Sequence, residues 1–142
     1  MCKLRLLESH CLPIIMYSIE SFYLKSDELA EVNSWWNAVY RKIFKFNKWE
    51  SVKALIFLSE RLDVVHMINL RCINFIKNML HDSNHNKIVQ CFINNYVKCG
   101  ECVSVLEKFK CCINWSKSKI KAVICEAFRL QVAERLNQSL VV

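Results

Sequence analysis

Residues 26–46 read SDELAEVNSWWNAVYRKIFKF, and their spacing decides the fold class. Leu29, Val32, Trp36, Val39, Ile43 and Phe46 recur three and four residues apart, the repeat that gathers side chains on one side of an α-helix. Ser26 stands before the run as an N-cap, and Asp27, Glu28 and Glu31 put acidic charge where the helix dipole favours it. A helix over about Asp27–Phe46 follows, with its apolar stripe in the core. The other side carries Ser34, Asn37, Arg41 and Lys45, with Lys42 and Lys48 close by, so the C-terminal end of the helix is strongly basic.

The same period extends outward. Over about Asp63–Leu80, Val65, Ile68, Cys72, Phe75 and Met79 form a buried stripe and Arg71, Asn74 and Asn78 a wet one. Shorter helices are predicted over about 51–59, 86–97 and 102–113, with HDSNHN at 81–86 as a loop. A last long helix runs over about 117–138 with Ile120, Val123, Ala127 and Leu130 inward. The N-terminal run ESHCLPIIMYSIESFYL, residues 8–24, belongs to a helical segment over about 3–23. That segment is kinked or restarted at Pro13, which lacks an amide donor and crowds the preceding turn. The expected architecture is all-α, with about six or seven helices. A soft boundary falls at the lone Gly100, giving a compact helical region over 1–98 and a C-terminal helical hairpin within 99–142.

Composition narrows the function classes. A chain of 142 residues makes roughly one domain. With 54% hydrophobic and 23% charged residues it carries too much apolar surface to remain disordered. One Gly and one Pro are too few for the turns of a sheet-based enzyme, and a lone glycine builds neither a P-loop nor a dinucleotide fingerprint. The net charge of +7 favours polyanionic partners. Nine cysteines form an odd set, and Glu8 and His10 interrupt the first apolar stretch before it could serve as a signal peptide. We therefore expect reduced thiols in an intracellular protein of the cytoplasm or nucleus. Glu20 and Lys25 cut the longest apolar run below the roughly 18 residues of a membrane span, so no membrane partner is expected.

His81, His85, Cys99 and Cys102 have the residue types and order of a zinc site. The histidines nevertheless flank a loop, and buried cysteines commonly serve as small apolar fillers, so no metal or other cofactor is expected. Cys11 beside His10 is a neighbour in sequence only, because adjacent residues on a helix point in different directions. Asp27, Asp63 and Asp82 are isolated, which excludes clustered aspartates for metal-assisted phosphoryl transfer. The informative feature is cationic: Arg41, Lys42, Lys45 and Lys48 interleave with Tyr40, Phe44 and Trp49, a set suited to phosphate contact beside aromatic packing or stacking.

Taken in order, three segments resemble one known family. They are ESHCLPIIMYSIESF, WWNAVYRKIFKF and SVKALIFLSERLDVVHMINLRCINFIKNMLHDSN, and they resemble the region after the palm in reverse transcriptases of non-LTR (LINE-type) retrotransposons of the jockey and chicken-repeat kind. The correspondence runs through Ser9, Cys11, Leu12, Pro13 and Tyr17, then Trp36, Asn37, Arg41, Lys42, Ile43 and Phe44. It continues through Ser51 and Val52, Arg71 and Phe75, and Ser83 and Asn84. Ser18 departs from it, standing where the family has glycine. The resemblance covers roughly the first 85 to 95 residues.

It implies a thumb-like helical region that packs beside a template–primer duplex and grips its backbone. Arg41, Lys42, Lys45 and Lys48 would be the phosphate contacts, and the parent's fingers–palm portion the protein partner. The paired palm aspartates that hold catalytic metals are missing, so the chain is expected to be a non-catalytic C-terminal fragment of an RNA-directed DNA polymerase. The N-terminal apolar run then reads as an interior junction. The alternatives are a helical protein–protein interaction module and a small zinc-binding helical module.

Overall fold

The computed structural model describes residues 2–21, 24–82, 86–91 and 115–140. The fold is all-α, as the periodicity requires, and no strand occurs among the described residues. The helices are α1 (Cys2–Leu6), α2 (Leu12–Ile15), α3 (Ser26–Phe44), α4 (Lys53–Leu58), α5 (Val64–Asp82) and α6 (Lys117–Leu140). Residues 87–91 are also helical. The expected helix over 102–113, the remainder of 86–97 and the boundary at Gly100 lie outside the described residues.

Pro13 acts as expected, through a device that periodicity does not reveal. A π-helical turn, Leu7–Cys11, separates α1 from α2, and the Leu12 amide donates to the Leu7 carbonyl. The restart puts Pro13 in the first turn of α2, where a missing amide leaves no hydrogen bond unmade. The chain then turns through Ser18, at a φ of 54°, into a 3-10 turn over Ile19–Ser21.

Helix α3 begins one residue earlier than expected. Lys25 is its extended N-cap, and the Glu28 carboxylate accepts the Lys25 amide at 2.8 Å, so Ser26 lies inside the helix and caps nothing. Trp36 and Tyr40 are the fully buried residues of α3, with Leu29, Val32, Val39 and Ile43 half-buried around them. Phe46, expected in the stripe, is exposed because the helix ends two residues before it.

Helices α5 and α6 present different arcs from those the spacing suggested. On α5 the buried positions are Val64, His66, Ile68, Asn69, Ile73 and Ile76, whereas Val65, Cys72, Phe75 and Met79 are half-buried. This helix packs against α3, α6 and the 3-10 turn together, so more than one side of it is covered. On α6 the buried residues are Ile120, Ile124, Phe128 and Val132, and Leu130 is 53% exposed. Steps of four residues drift about 40° around the helix each time. The stripe therefore winds from Ile73 of α5, which Ile120 and Ile124 cover, to the main core entered by Phe128 and Val132. That core also holds Leu4, Met16, Trp36, Tyr40, Val52 and Ile56, so α6 closes the same interior that α3 and α4 build. The Phe128 ring meets Phe57 edge-on at 6.1 Å.

Candidate functional site

The basic end of α3 is followed by a built turn. Lys45 leaves the helix in the left-handed conformation, φ 59°, and the Arg41 carbonyl accepts both the Lys45 amide and, at 3.0 Å, the Phe46 amide. This is a Schellman-type end, the geometry that glycine usually serves. The next residues are tied back by four hydrogen bonds. Arg41 Nε donates to the Glu50 carbonyl at 2.9 Å, and the Glu50 carboxylate accepts Asn47 N at 2.8 Å and Asn47 Nδ2 at 3.1 Å. The Glu50 amide donates to the Asn47 carbonyl at 3.2 Å. Held this way, the turn presents Lys45, Lys48 and Trp49 to solvent, with Trp49 84% exposed, and Lys42 is exposed on the last turn of α3.

The expected set therefore divides by position. Lys42, Lys45 and Lys48 are solvent-facing cations around one turn, while Arg41 is half-buried and directs its Nε at the turn's own backbone. Among the interleaved aromatics Tyr40 is core, its ring 5.8 Å from Trp36 and stacked on Phe44 at 6.3 Å. Burial pushes its hydroxyl pKa up. Phe44 is partly open and Trp49 open, which leaves Trp49 as the aromatic that presents a free face.

A second polar constellation was not legible as such, and Asp63 is not isolated. Asp63 caps α5, and its Oδ1 accepts the His66 amide at 2.9 Å and lies 2.5 Å from His66 Nδ1. Its other oxygen is 3.7 Å from Lys53 Nζ, which donates to Gln131 Oε1 of α6 at 3.0 Å. Lys53, Asp63 and His66 are all buried, and the His66 ring rests 5.0 Å from Phe128. Burial pushes the Asp63 carboxyl pKa up, but hydrogen bonds from His66 and the Lys53 charge outweigh it and hold the group below the usual carboxylate range. Burial pulls Lys53 down against the pull of Asp63. The arrangement joins α4, α5 and α6 by charge and hydrogen bonding, and Asp63 orients the imidazole through Nδ1. Asp63-x2-His66 at a helix start was its one sequence signal.

Of the zinc-type residues, His81 is exposed near the end of α5, and His85, Cys99 and Cys102 lie outside the described residues. No group of three or more His, Cys, Asp or Glu side chains among the described residues is placed to hold a metal. No described helix is long and apolar enough to cross a membrane. No family model matches the chain, and neither curated proteins nor solved structures give a match.

Proposed function

We propose that the chain is a non-catalytic, thumb-like segment of the LINE-type reverse-transcriptase kind that grips the sugar–phosphate backbone of an RNA–DNA or DNA duplex. The observation that carries this reading is the turn after α3, where the Arg41–Glu50 and Asn47–Glu50 bonds hold Lys45, Lys48 and Trp49 outward beside Lys42. Backbone phosphates are met by cations whose positions are fixed in advance, and an exposed indole adds a stacking or sugar-packing face without sequence preference. Arg41 then acts by holding the turn as well as by its charge.

Ser18 supports the family reading. It stands where the resembled pattern has glycine, and its φ of 54° is in the region glycine enters freely. Asp63 is committed to capping α5 and pairing with His66. The test is anisotropy of a labelled RNA–DNA hybrid titrated with the full chain and with a Lys42→Ala, Lys45→Ala, Lys48→Ala variant. Binding by the native chain and its loss in the variant are expected; equal binding by both overturns the proposal.

A second reading concerns the N-terminal face. Leu6, Ile14 and Tyr17 are exposed, Tyr17 to 82%, which suits docking onto another protein body such as the fingers–palm portion of a parent polymerase. Light scattering tests the self-association form of this reading: a concentration-independent monomer removes it.

A further inference from the structure

An open hollow of about 640 Å³ adjoins the basic end of α3, and elements far apart in sequence line it. Lys3 and Leu4 come from α1, Ile43 and Phe44 from the last turn of α3, and Leu58 from the end of α4. Its apolar groups reach solvent: Leu58 is 78% exposed, Phe44 40% exposed and Ile43 half-buried. The charges around it have one sign. Lys3 lines the hollow, and Lys42 and Lys45 flank Ile43 and Phe44 in the chain; all three are exposed, and none pairs with a carboxylate among the described residues. No carboxylate among the described residues lines the hollow, and its other cation, Arg61, is held by Glu8. Phe44 also ends a column of rings along α3. It lies nearly parallel to Tyr40, at 19° and 6.3 Å, and Tyr40 packs on Trp36 at 5.8 Å. Trp36 and Tyr40 are buried, so the column reaches the surface at Phe44, in the wall of the hollow.

We propose that this hollow receives an unpaired base of single-stranded nucleic acid. The base stacks on Phe44 and packs against Ile43 and Leu58, while phosphates to either side of it meet Lys3 from α1 and Lys42 or Lys45 from the end of α3. The inference rests on the reading of the α3 end and its turn as a phosphate-contacting surface, and it extends that surface across the hollow to α1. A duplex keeps its bases paired and stacked inside and has no flat apolar group to place between two sets of cations; an unpaired strand has one at every nucleotide. An acidic peptide would match the charges, but it does not call for a stack of rings that ends at the surface.

The test compares two labelled strands on the full chain by anisotropy: a short oligothymidylate and an abasic strand of equal length, which carries the same phosphates and no bases. The abasic strand should bind about tenfold or more weakly. Phe44→Leu keeps an apolar side chain and removes the ring, and it should erase the difference between the strands. Equal affinity for the two strands overturns the proposal. So does a difference that survives Phe44→Leu and vanishes with Trp49→Ala, which would assign the stacking to the turn. Binding of an acidic, leucine-rich peptide that Leu58→Ser abolishes, together with strands that bind alike, overturns it in favour of a protein partner. A blunt RNA–DNA hybrid titrated in parallel separates this inference from the duplex reading. A hybrid that binds while the strands are indistinguishable overturns the hollow alone; base-dependent strand binding without hybrid binding upholds the hollow and overturns the duplex grip. The comparison of strands on the native chain decides the matter even if the Phe44 variant does not fold.

Discussion

Lys45 combines two requirements that oppose each other. Its left-handed conformation strains a residue with a Cβ, yet its ammonium faces the solvent beside Lys42 and Lys48. Lys45→Gly is therefore expected to raise stability by about 1 kcal/mol in denaturant unfolding while weakening nucleic-acid binding, a pairing that simple damage to the fold does not produce. Ser18→Gly should stabilise by a similar amount, about 1 kcal/mol, with binding unchanged. Lys45 was not legible as left-handed, because it is not glycine and the chain's single glycine is elsewhere, whereas Ser18 stood where the resembled pattern has glycine. Asp63 was read as isolated because a carboxylate's partners are set by packing: His66 is one turn away, but Lys53, itself bonded to Gln131 of α6, comes from another helix. Asp63→Ala would leave the buried Lys53 without its counter-charge and α5 without its cap, a loss of about 3 kcal/mol or more. The folded Asp63 pKa lies below its unfolded value, so its contribution is fully present above about pH 4 and is lost as pH falls through the folded value. Asp63→Asn should accordingly flatten the acid limb of a stability-against-pH profile.

Among the elements, boundaries were more legible than faces. Helices α3 and α5 start and end within two residues of where periodicity put them, since that cue is local. Which arc of a helix is buried depends on what surrounds it. The sides of α5 are claimed by α3, α6 and the Ile19–Ser21 turn, and the winding stripe of α6 serves two clusters in succession. The expected choice of Leu130 over Phe128 as an inward residue on α6 follows from missing that drift. Phe128→Ala should cost about 3–5 kcal/mol by opening the core beneath Phe57 and His66. Leu130→Ser should stay within about 0.5 kcal/mol. The turn after α3 is the element on which the functional reading rests. Arg41→Ala removes its anchor on the Glu50 carbonyl, and amide exchange at 46–50 should speed up while the α5 core stays protected.

At the scale of the whole molecule, all-α architecture follows from an apolar repeat sustained through a chain almost without glycine or proline, and the structure has it. The candidate interface was legible as a cluster of cations in sequence, but its shape was not: the division between Arg41 as anchor and Lys42, Lys45 and Lys48 as outward charges arises from a carbonyl at Glu50. A net charge of +7 attracts any polyanion at a distance, so weak binding at low salt alone does not discriminate. The discriminating quantity is the number of ions released on binding, read from the dependence of log K on log salt concentration for an RNA–DNA hybrid. Three phosphate contacts through Lys42, Lys45 and Lys48 predict a slope of about −3, and each lysine changed to alanine should reduce its magnitude by about one. A slope unchanged in the triple alanine variant, or no binding at low salt by the folded native chain, would contradict the account.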